Sequence, residues 1–323
     1  MNNKLNNINI DIVIDMDIAD SLIKKADKIQ NGGFFYNLMH PMEERREESL
    51  KLFERAANIY KLNKYLELSM NVYLKCANLT KDKIDSVPYY LEIATMQRKN
   101  NTSEAIKTMN LVVNIFLNEG KNIQAAKILK EIGQIYESTN ELSLAVKYYD
   151  NSVNIYENDI DNNNKYITTK LLLKIADLKT IIGEDSGENN ENNNEYIKYS
   201  INIYESVAYG YLENKLTYPC AKELFLKAAL LHLVNNDFVG SENAVHKYVD
   251  LDPTFKNSRE HKFIEDLIKS VDLQNIDEYT VDVFSEICCQ FDELTPLDNW
   301  KIIVLNRIKN ILINSIKSNF SVM

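Results

Sequence analysis

The feature that most constrains the fold is a pair of small or apolar residues that recurs about every 20 residues. Each pair follows a short polar stretch and opens a segment with apolar periodicity, at Ala105-Ile106, Ala125-Ala126 and Ala145-Val146. One such segment holds a helix and a turn, so two segments form a helix pair of about 40 residues. The spacing therefore predicts stacked antiparallel helix pairs.

Within the segments, apolar residues recur at intervals of three and four residues. A clear example is the run Leu50, Phe53, Ala56, Ala57 and Tyr60. This pattern places one buried stripe along a helix. Because a single helix pair cannot bury both of its faces, neighbouring pairs must stack to make a continuous core. We therefore expect an all-α fold, a right-handed superhelical solenoid of tetratricopeptide-like antiparallel helix pairs with a C-terminal helical bundle.

Several segments end in isoleucine followed by an aromatic residue. These endings are Ile59-Tyr60, Ile115-Phe116, Ile135-Tyr136, Ile155-Tyr156 and Ile203-Tyr204. Aromatic residues in an apolar stripe at helical spacing are usually part of a core. We expect these side chains to fill the gaps between successive helix pairs.

Glycine and proline are scarce, with 8 and 5 residues in a chain of 323. Hairpin turns and the phosphate-binding loops of nucleotide-binding α/β folds depend on glycine. The scarcity disfavours both β-rich folds and nucleotide-binding α/β folds.

Changes in composition suggest a division of the chain. Residues 1–20 are predicted to be an Asn-rich leader, 21–262 a helical solenoid, 263–312 a C-terminal helical bundle and 313–323 a tail. A low-complexity loop near 183–194 (GEDSGENNENNN) is expected to interrupt the solenoid.

Charge and cysteine content exclude other classes. The 37 basic and 47 acidic residues give a formal net charge of −10, which gives no general support for binding nucleic acid. The four cysteines are scattered without metal-ligand spacing, so we predict reduced thiols and no metal site. No apolar run approaches the ~20 residues of a membrane span, and the N-terminus lacks the pattern of a signal peptide. These features predict a cytoplasmic protein.

Catalytic signatures are missing from the sequence. It contains no GxxxxGK[ST], GxGxxG, HExxH or GxSxG motif. His232 lies within an apolar helix (AALLHLV), where a core or interface role is expected over that of a catalytic base. We predict neither an enzymatic activity nor a cofactor.

A glycine-containing segment with large apolar side chains, NGGFFYNLM at 31–39, is expected to be a loop between two helices. Phe34, Phe35, Leu38 and Met39 are candidates for insertion into a membrane surface or a partner. The alternative is that the loop folds back as a cap over the first helix pair.

Three lysines interrupt otherwise apolar helices and have no obvious partner nearby in the sequence. They are Lys127, Lys170 and Lys222. Equivalent positions on successive helices would form a basic stripe along a concave surface, suited to an acidic helical partner. The alternative is an ordinary surface lysine whose stem covers apolar neighbours.

Several stretches resemble the soluble NSF attachment proteins, and the alpha type more than the gamma type. They are ERAANIYK, AAKILKEIGQIYE, AVKYYDNSVNIYE, AKELFLKAALLHL, DPTFKNSRE, QNIDEYT and LDNWKIIVLNRIKN. The resemblance covers residues 26–312, and its LDNW motif is more specific than the helical repeats. This family links SNARE complexes to a hexameric AAA+ ATPase, NSF.

The resemblance implies roles for particular residues. Phe34 and Phe35 stand at the position of the family's membrane-attachment loop. The basic residues that match its SNARE-contacting surface are Lys127, Lys170 and Lys222, extended by Arg98, Lys99 and Lys121. The acidic residues closest to its ATPase-contacting positions are Asp237, Asp272, Asp277 and Glu278.

Two departures from the family pattern concern the C-terminal region. Asp272-Leu273 stands where the family has a pair of acids, and INSIKSNFSVM replaces its acidic tail. Stimulation of the ATPase is therefore less secure than binding.

The resulting hypothesis is an adaptor of vesicle transport, such as ER–Golgi transport. It would bind a SNARE four-helix bundle, recruit the ATPase and associate peripherally with membranes. The alternative is a tetratricopeptide-type scaffold that binds peptide tails in another assembly.

Overall fold

The computed structural model describes residues 2–159, 164–185, 191–271 and 277–321, and every regular element in these ranges is helical. This confirms the predicted all-α class. The chain divides into two compact units, residues 1–139 and 140–323. The predicted boundary between the solenoid and the C-terminal bundle, after residue 262, does not coincide with the boundary between these two units.

Seven α-helices lie in the first unit, with a short 3-10 helix at Lys83–Ser86. They are α1 (Asn2–Gln30), α2 (Phe34–Met39), α3 (Met42–Leu62), α4 (Leu66–Leu79), α5 (Val87–Asn100), α6 (Thr102–Asn118) and α7 (Asn122–Ser138). From α3 onward each α-helix packs against the next one in sequence. This is the arrangement that the 20-residue spacing predicts.

Helix α1 packs antiparallel on α3. Near one end, the Tyr60 hydroxyl donates a hydrogen bond to the Asp20 carboxylate, and near the other, the Ser49 hydroxyl donates to the Ala26 carbonyl at 3.2 Å. Ala19 and Ala26 are fully buried, since small side chains let two helices approach closely. The predicted leader of residues 1–20 is therefore wrong at its C-terminal end, which is part of a packed helix.

Four of the turns between the described helices contain a residue with a positive φ angle. Lys64, Gly120, Asn140 and Asn236 have φ angles of 56° to 68° and lie two residues beyond a helix end. After Gly120, the backbone N–H of Lys121 bonds the Phe116 carbonyl at 2.8 Å, which closes the last turn of α6. A left-handed residue at this position reverses the chain within a few residues.

Eight α-helices lie in the described part of the second unit, with 3-10 helices at Tyr218–Cys220 and Phe255–Asn257. They are α8 (Leu142–Glu157), α9 (Lys165–Asp185), α10 (Glu191–Leu212), α11 (Ala221–Val234), α12 (Phe238–Leu251), α13 (Arg259–Ser270), α14 (Glu278–Leu294) and α15 (Asn299–Ser321).

Helix α11 is the centre of the second unit and contacts α10, α12, α13 and α15. Ten of its fourteen residues are buried, as expected for a helix that is apolar on all sides. Its Phe225 stacks on Tyr248 of α12 at 4.4 Å between ring centroids. One core runs from α9 to α15, so the predicted solenoid and C-terminal bundle share their interior.

Two other predicted boundaries fall inside helices. Residues 183–185 of the predicted loop belong to α9 and 191–194 to α10, whereas 186–190 lie outside the described residues. The tail predicted to begin at 313 continues α15 to Ser321. Ile313 and Ile316 pack against the core, which explains why the helix does not end at 312.

Candidate protein-interaction surfaces

The predicted basic residues of the first unit lie on two helices and one turn. Arg98 and Lys99 are in the last turn of α5, where positive charge is favourable beside the helix C-terminus. Lys121 precedes α7, and Lys127 follows the buried pair Ala125-Ala126 on that helix. All four cationic side chains are exposed.

Lys170 and Lys222 lie on α9 and α11 of the second unit. The Lys170 ammonium is 4.6 Å from the ring centroid of the exposed Tyr166. The Lys222 ammonium donates to the Thr254 carbonyl at 3.3 Å. The expectation that these lysines have no partner nearby in the sequence is therefore wrong for Lys170, whose partner lies one turn earlier on the same helix. The partner of Lys222 lies 32 residues away, in the segment after α12.

The segment predicted as a loop at 31–39 contains the short helix α2 instead. Gly33 precedes the helix, which ends at Met39 because His40, the residue before Pro41, is restricted to an extended conformation. Arg45 of α3 donates to Asn37 Oδ1 at 2.5 Å and to the Gln30 carbonyl at 3.3 Å, so α2 is tied to both flanking helices.

The exposed side of α2 carries apolar side chains. Leu38 is 74% exposed and Met39 is 78% exposed. The side chains of Phe34 and Phe35 lie outside the described residues. The alternative in which the segment caps the first helix pair does not hold for Leu38 and Met39.

Three of the four predicted acidic residues, Asp237, Asp277 and Glu278, lie where helices begin. Asp237 accepts a hydrogen bond from the Gly240 N–H at 2.8 Å and caps α12. Asp277 caps α14 in a reciprocal pair with Thr280, and the bonds from the Thr280 N–H and hydroxyl lower the pKa of Asp277. Glu278 is exposed beside it, and Asp272 lies outside the described residues. The Asp237 and Asp277 carboxylates therefore stabilise helix ends while remaining at the surface.

The LDNW motif joins α15 to the rest of the second unit. Asp298 caps α15 by accepting from the Lys301 N–H at 2.8 Å. Trp300 is buried and meets Tyr204 of α10 edge to face, with 5.8 Å between ring centroids. The ammonium of Lys227 on α11 lies 4.6 Å from the Trp300 ring centroid and 2.8 Å from Asp177 Oδ1 of α9. The motif therefore connects four helices.

Lys301 is a buried cation, with only 6% of its surface exposed. Its ammonium lies 2.5 Å from Glu223 Oε1 and 2.9 Å from Asp298 Oδ2. Burial alone would lower the pKa of Lys301, but the hydrogen bonds to the two carboxylates outweigh burial and raise it. Burial likewise opposes ionisation of Asp298, yet its bonds with Lys301 lower the Asp298 pKa.

Sequence reasoning missed Lys227 and Lys301. The motif offered one signal, since an aspartate two residues before a tryptophan on a predicted helix fits an N-cap. The burial of Lys301 had no sequence signal, because its partner Glu223 lies far away in the chain.

Two kinds of site are absent from the ranges that the structure covers. There is no group of His, Cys, Asp and Glu residues that could hold a metal ion. Nor is any helix in these ranges long and apolar enough to span a membrane.

The sequence of this chain matches a protein family and several individual proteins. The family model "Soluble NSF attachment protein, SNAP" matches residues 17–313. Human alpha-soluble NSF attachment protein is 28% identical over 296 residues, covering 90% of this chain and 93% of the human protein. The probable vesicular-fusion protein sec17 homolog of Schizosaccharomyces pombe is 27% identical over 295 residues, covering 90% and 95%.

Among solved structures, a tetratricopeptide-repeat STAND protein from Pyrococcus horikoshii has a TM-score of 0.40 and 14% identity, covering 92% of this chain and 44% of that protein. The sequence family is shown by the match over 17–313, which includes the first part of α15 with its buried Trp300 and Lys301. This chain belongs to the soluble NSF attachment protein family.

Proposed function

We propose that this chain is an adaptor that binds SNARE complexes and recruits a hexameric NSF-type ATPase for their disassembly. The observation that carries this proposal is the family match over residues 17–313, which covers nearly the whole chain and both compact units. The relatives named sec17 are vesicular-fusion proteins, which supports a role in vesicle traffic.

The proposed SNARE-binding residues are cations on a chain with a net charge of −10. Lys127 and Lys170 are exposed, so they can contact a partner without unfolding their helices. Arg98, Lys99, Lys121 and Lys222 extend this set. Exposed positive charge suits the acidic surface of a SNARE four-helix bundle and would give salt-dependent binding.

The proposed membrane contact is α2. Leu38 and Met39 present apolar surface to solvent, and Arg45 holds the short helix in place. Since a few apolar side chains bind membranes only weakly, this contact supports peripheral and reversible association. The proposed location is the cytoplasm and the cytoplasmic surface of membranes.

The proposed ATPase contact uses the acidic residues Asp237, Asp272, Asp277 and Glu278 of the second unit. The adaptor itself hydrolyses nothing in this proposal. Its task is to position the ATPase on its substrate, and the energy for disassembly comes from ATP hydrolysis by the partner.

A purified system tests the proposal. A fluorescently labelled SNARE complex, the hexameric ATPase and ATP are mixed with and without this chain, and loss of energy transfer between two SNAREs reports disassembly. We expect disassembly only when the chain, the ATPase and hydrolysable ATP are all present. An intact SNARE complex under these conditions, with the ATPase active on its known adaptor, would contradict the proposal.

A further inference from the structure

A groove that the proposed function does not use lies between α13 and α14 of the second unit. It has a cavity volume of about 160 Å³ and opens to solvent beside the exposed residues Arg259, Lys262 and Gln290. We call it the α13–α14 groove. Its lining residues are Arg259, Lys262, Phe263, Asp266, Ile287, Gln290, Phe291 and Leu294.

The inner part of the α13–α14 groove is apolar. Phe263 and Phe291 stack with 4.1 Å between ring centroids, and Leu294 at the end of α14 is 68% exposed. Pockets for small-molecule ligands usually measure about 300–1,000 Å³, whereas a cavity of about 150 Å³ accepts a molecule of the size of benzene. The volume therefore suits one large apolar side chain rather than a whole cofactor.

The rim of the groove is basic on an acidic chain. Arg259 donates from Nη1 to the Leu294 carbonyl at 3.2 Å and to Thr295 Oγ1 at 3.3 Å, so its guanidinium is held beside the end of α14. Lys262 lies one turn further along α13 and forms no ion pair within the described part of the chain. Asp266 is the single acid of the rim, which leaves a net positive charge.

We propose that the α13–α14 groove is a docking site for a short acidic peptide segment of a partner protein. One aromatic or leucine side chain of the peptide would occupy the cavity between Ile287, Phe291 and Leu294. Its neighbouring carboxylates would pair with Arg259 and Lys262. A buried apolar anchor surrounded by charge pairs is the usual arrangement of a peptide hot spot.

This inference stands apart from the proposed function. The acidic residues assigned above to the ATPase require a basic partner, whereas the α13–α14 groove requires an acidic one. Either proposal can fail while the other holds.

The test measures binding of a fluorescein-labelled peptide to the full chain by fluorescence anisotropy. The peptide contains one phenylalanine flanked by glutamates. Binding is expected to fall at least about ten-fold when the phenylalanine is replaced by alanine, since its burial supplies more than ~1.4 kcal/mol. The double variant Arg259→Glu/Lys262→Glu is expected to lose affinity by a similar factor. The matched control Lys215→Glu/Lys256→Glu makes the same change of charge at exposed positions that do not line the groove.

A gain of affinity separates binding from misfolding. Asp266→Asn removes the one repulsive charge on the rim and is expected to tighten binding about two- to five-fold. The proposal is overturned if the peptide does not bind, if both double variants weaken it equally, or if Asp266→Asn leaves affinity unchanged. It is also overturned if Arg259 and Lys262 are needed only for binding vesicles that contain phosphatidylserine.

Discussion

Lys301 of α15 contacts Glu223 of α11, with 2.5 Å between Nζ and Oε1, although only 6% of the Lys301 surface is exposed. Burying an ion pair gains little stability compared with an apolar pair, but removing one partner leaves a charge without compensation. The contact therefore favours one placement of α15 on α11 over others. The LDNWK stretch links this placement to the cap of its own helix through Asp298.

Glu223→Gln is expected to lower the free energy of unfolding by about 1–2 kcal/mol. This lies below the 3–5 kcal/mol typical of a broken buried pair because the Glu223 side chain is partly exposed and Asp298 remains beside Lys301. Urea denaturation of the full chain measures the change.

A matched control for this change is Glu242→Gln on α12, where Glu242 Oε1 lies 4.0 Å from His246 Nε2 at the surface. We expect an effect within about 0.5 kcal/mol there. In a Lys301→Met background, Glu223→Gln should have almost no further effect. An equal loss in both backgrounds would show that the 2.5 Å contact does not couple the two helices.

Asp252 should contribute stability that depends on pH. Its carboxylate is buried, which opposes ionisation, but it accepts bonds from the Tyr218 hydroxyl at 2.5 Å, the Thr254 N–H at 2.8 Å and the Thr254 hydroxyl at 2.7 Å. These bonds and the nearby Lys222 outweigh burial and lower the pKa of Asp252 below 3.8. A lowered folded-state pKa stabilises the fold above the unfolded value, and this gain is lost as pH falls through the folded value.

Asp252→Asn is therefore expected to destabilise the chain by about 1–3 kcal/mol at pH 7. The difference from the unsubstituted chain should shrink below about pH 4. Denaturation curves at pH 7 and pH 3 test this, with Asp250→Asn in the last turn of α12 as the exposed control. A difference that is the same at both pH values would contradict the role assigned to the ionised carboxylate.

Lys127→Glu/Lys170→Glu should weaken binding to a SNARE four-helix bundle and reduce the salt dependence of that binding. Both side chains are exposed, and Lys170 loses only a surface contact with Tyr166 worth about 0.5–1 kcal/mol. Affinity measured at two ionic strengths gives both quantities.

The control for the lysine pair is Lys81→Glu/Lys215→Glu, which alters one exposed lysine in each unit. It changes the net charge by the same amount. Equal weakening by the two double variants would mean that net charge, and not the proposed contact residues, governs binding.

Leu38→Asp/Met39→Asp should reduce flotation with phospholipid vesicles at least several-fold, since full burial of each apolar side chain is worth about 1.5–3 kcal/mol. Stability should change by less than about 0.5 kcal/mol because both side chains already face solvent. Leu62→Asp/Leu216→Asp alters two leucines that are 83% and 88% exposed elsewhere. If this control pair reduces flotation as much, α2 is not the membrane contact.

Much of the fold could be predicted because its signals are local. The segments that begin near Ala105, Ala125 and Ala145 are α6, α7 and α8, and all three alanines are fully buried. Tyr60, Tyr156 and Tyr204 are core residues, as their helical spacing predicts. Apolar periodicity and polar turns occur within about 20 residues of each other, so the sequence alone reveals them.

The incorrect predictions concern segments whose structure depends on contacts with residues distant in the sequence. The leader prediction failed because α3 provides a packing surface for Ala19, and the tail prediction failed because the core provides one for Ile313. The double glycine at 32–33 suggested a loop, but Arg45 of α3 fixes the following turn of helix. The composition of a segment does not show which other parts of the chain pack against it in the fold.

The left-handed turns determine which substitutions the chain can accept at these positions during evolution. Lys64, Gly120, Asn140 and Asn236 have similar positive φ angles although they are of three residue types. Only a modest strain of about 1–2 kcal/mol separates lysine from glycine at such a position, and the packed helices on either side tolerate it. Divergence can therefore replace the residues at these turns while the lengths of the flanking helices are retained.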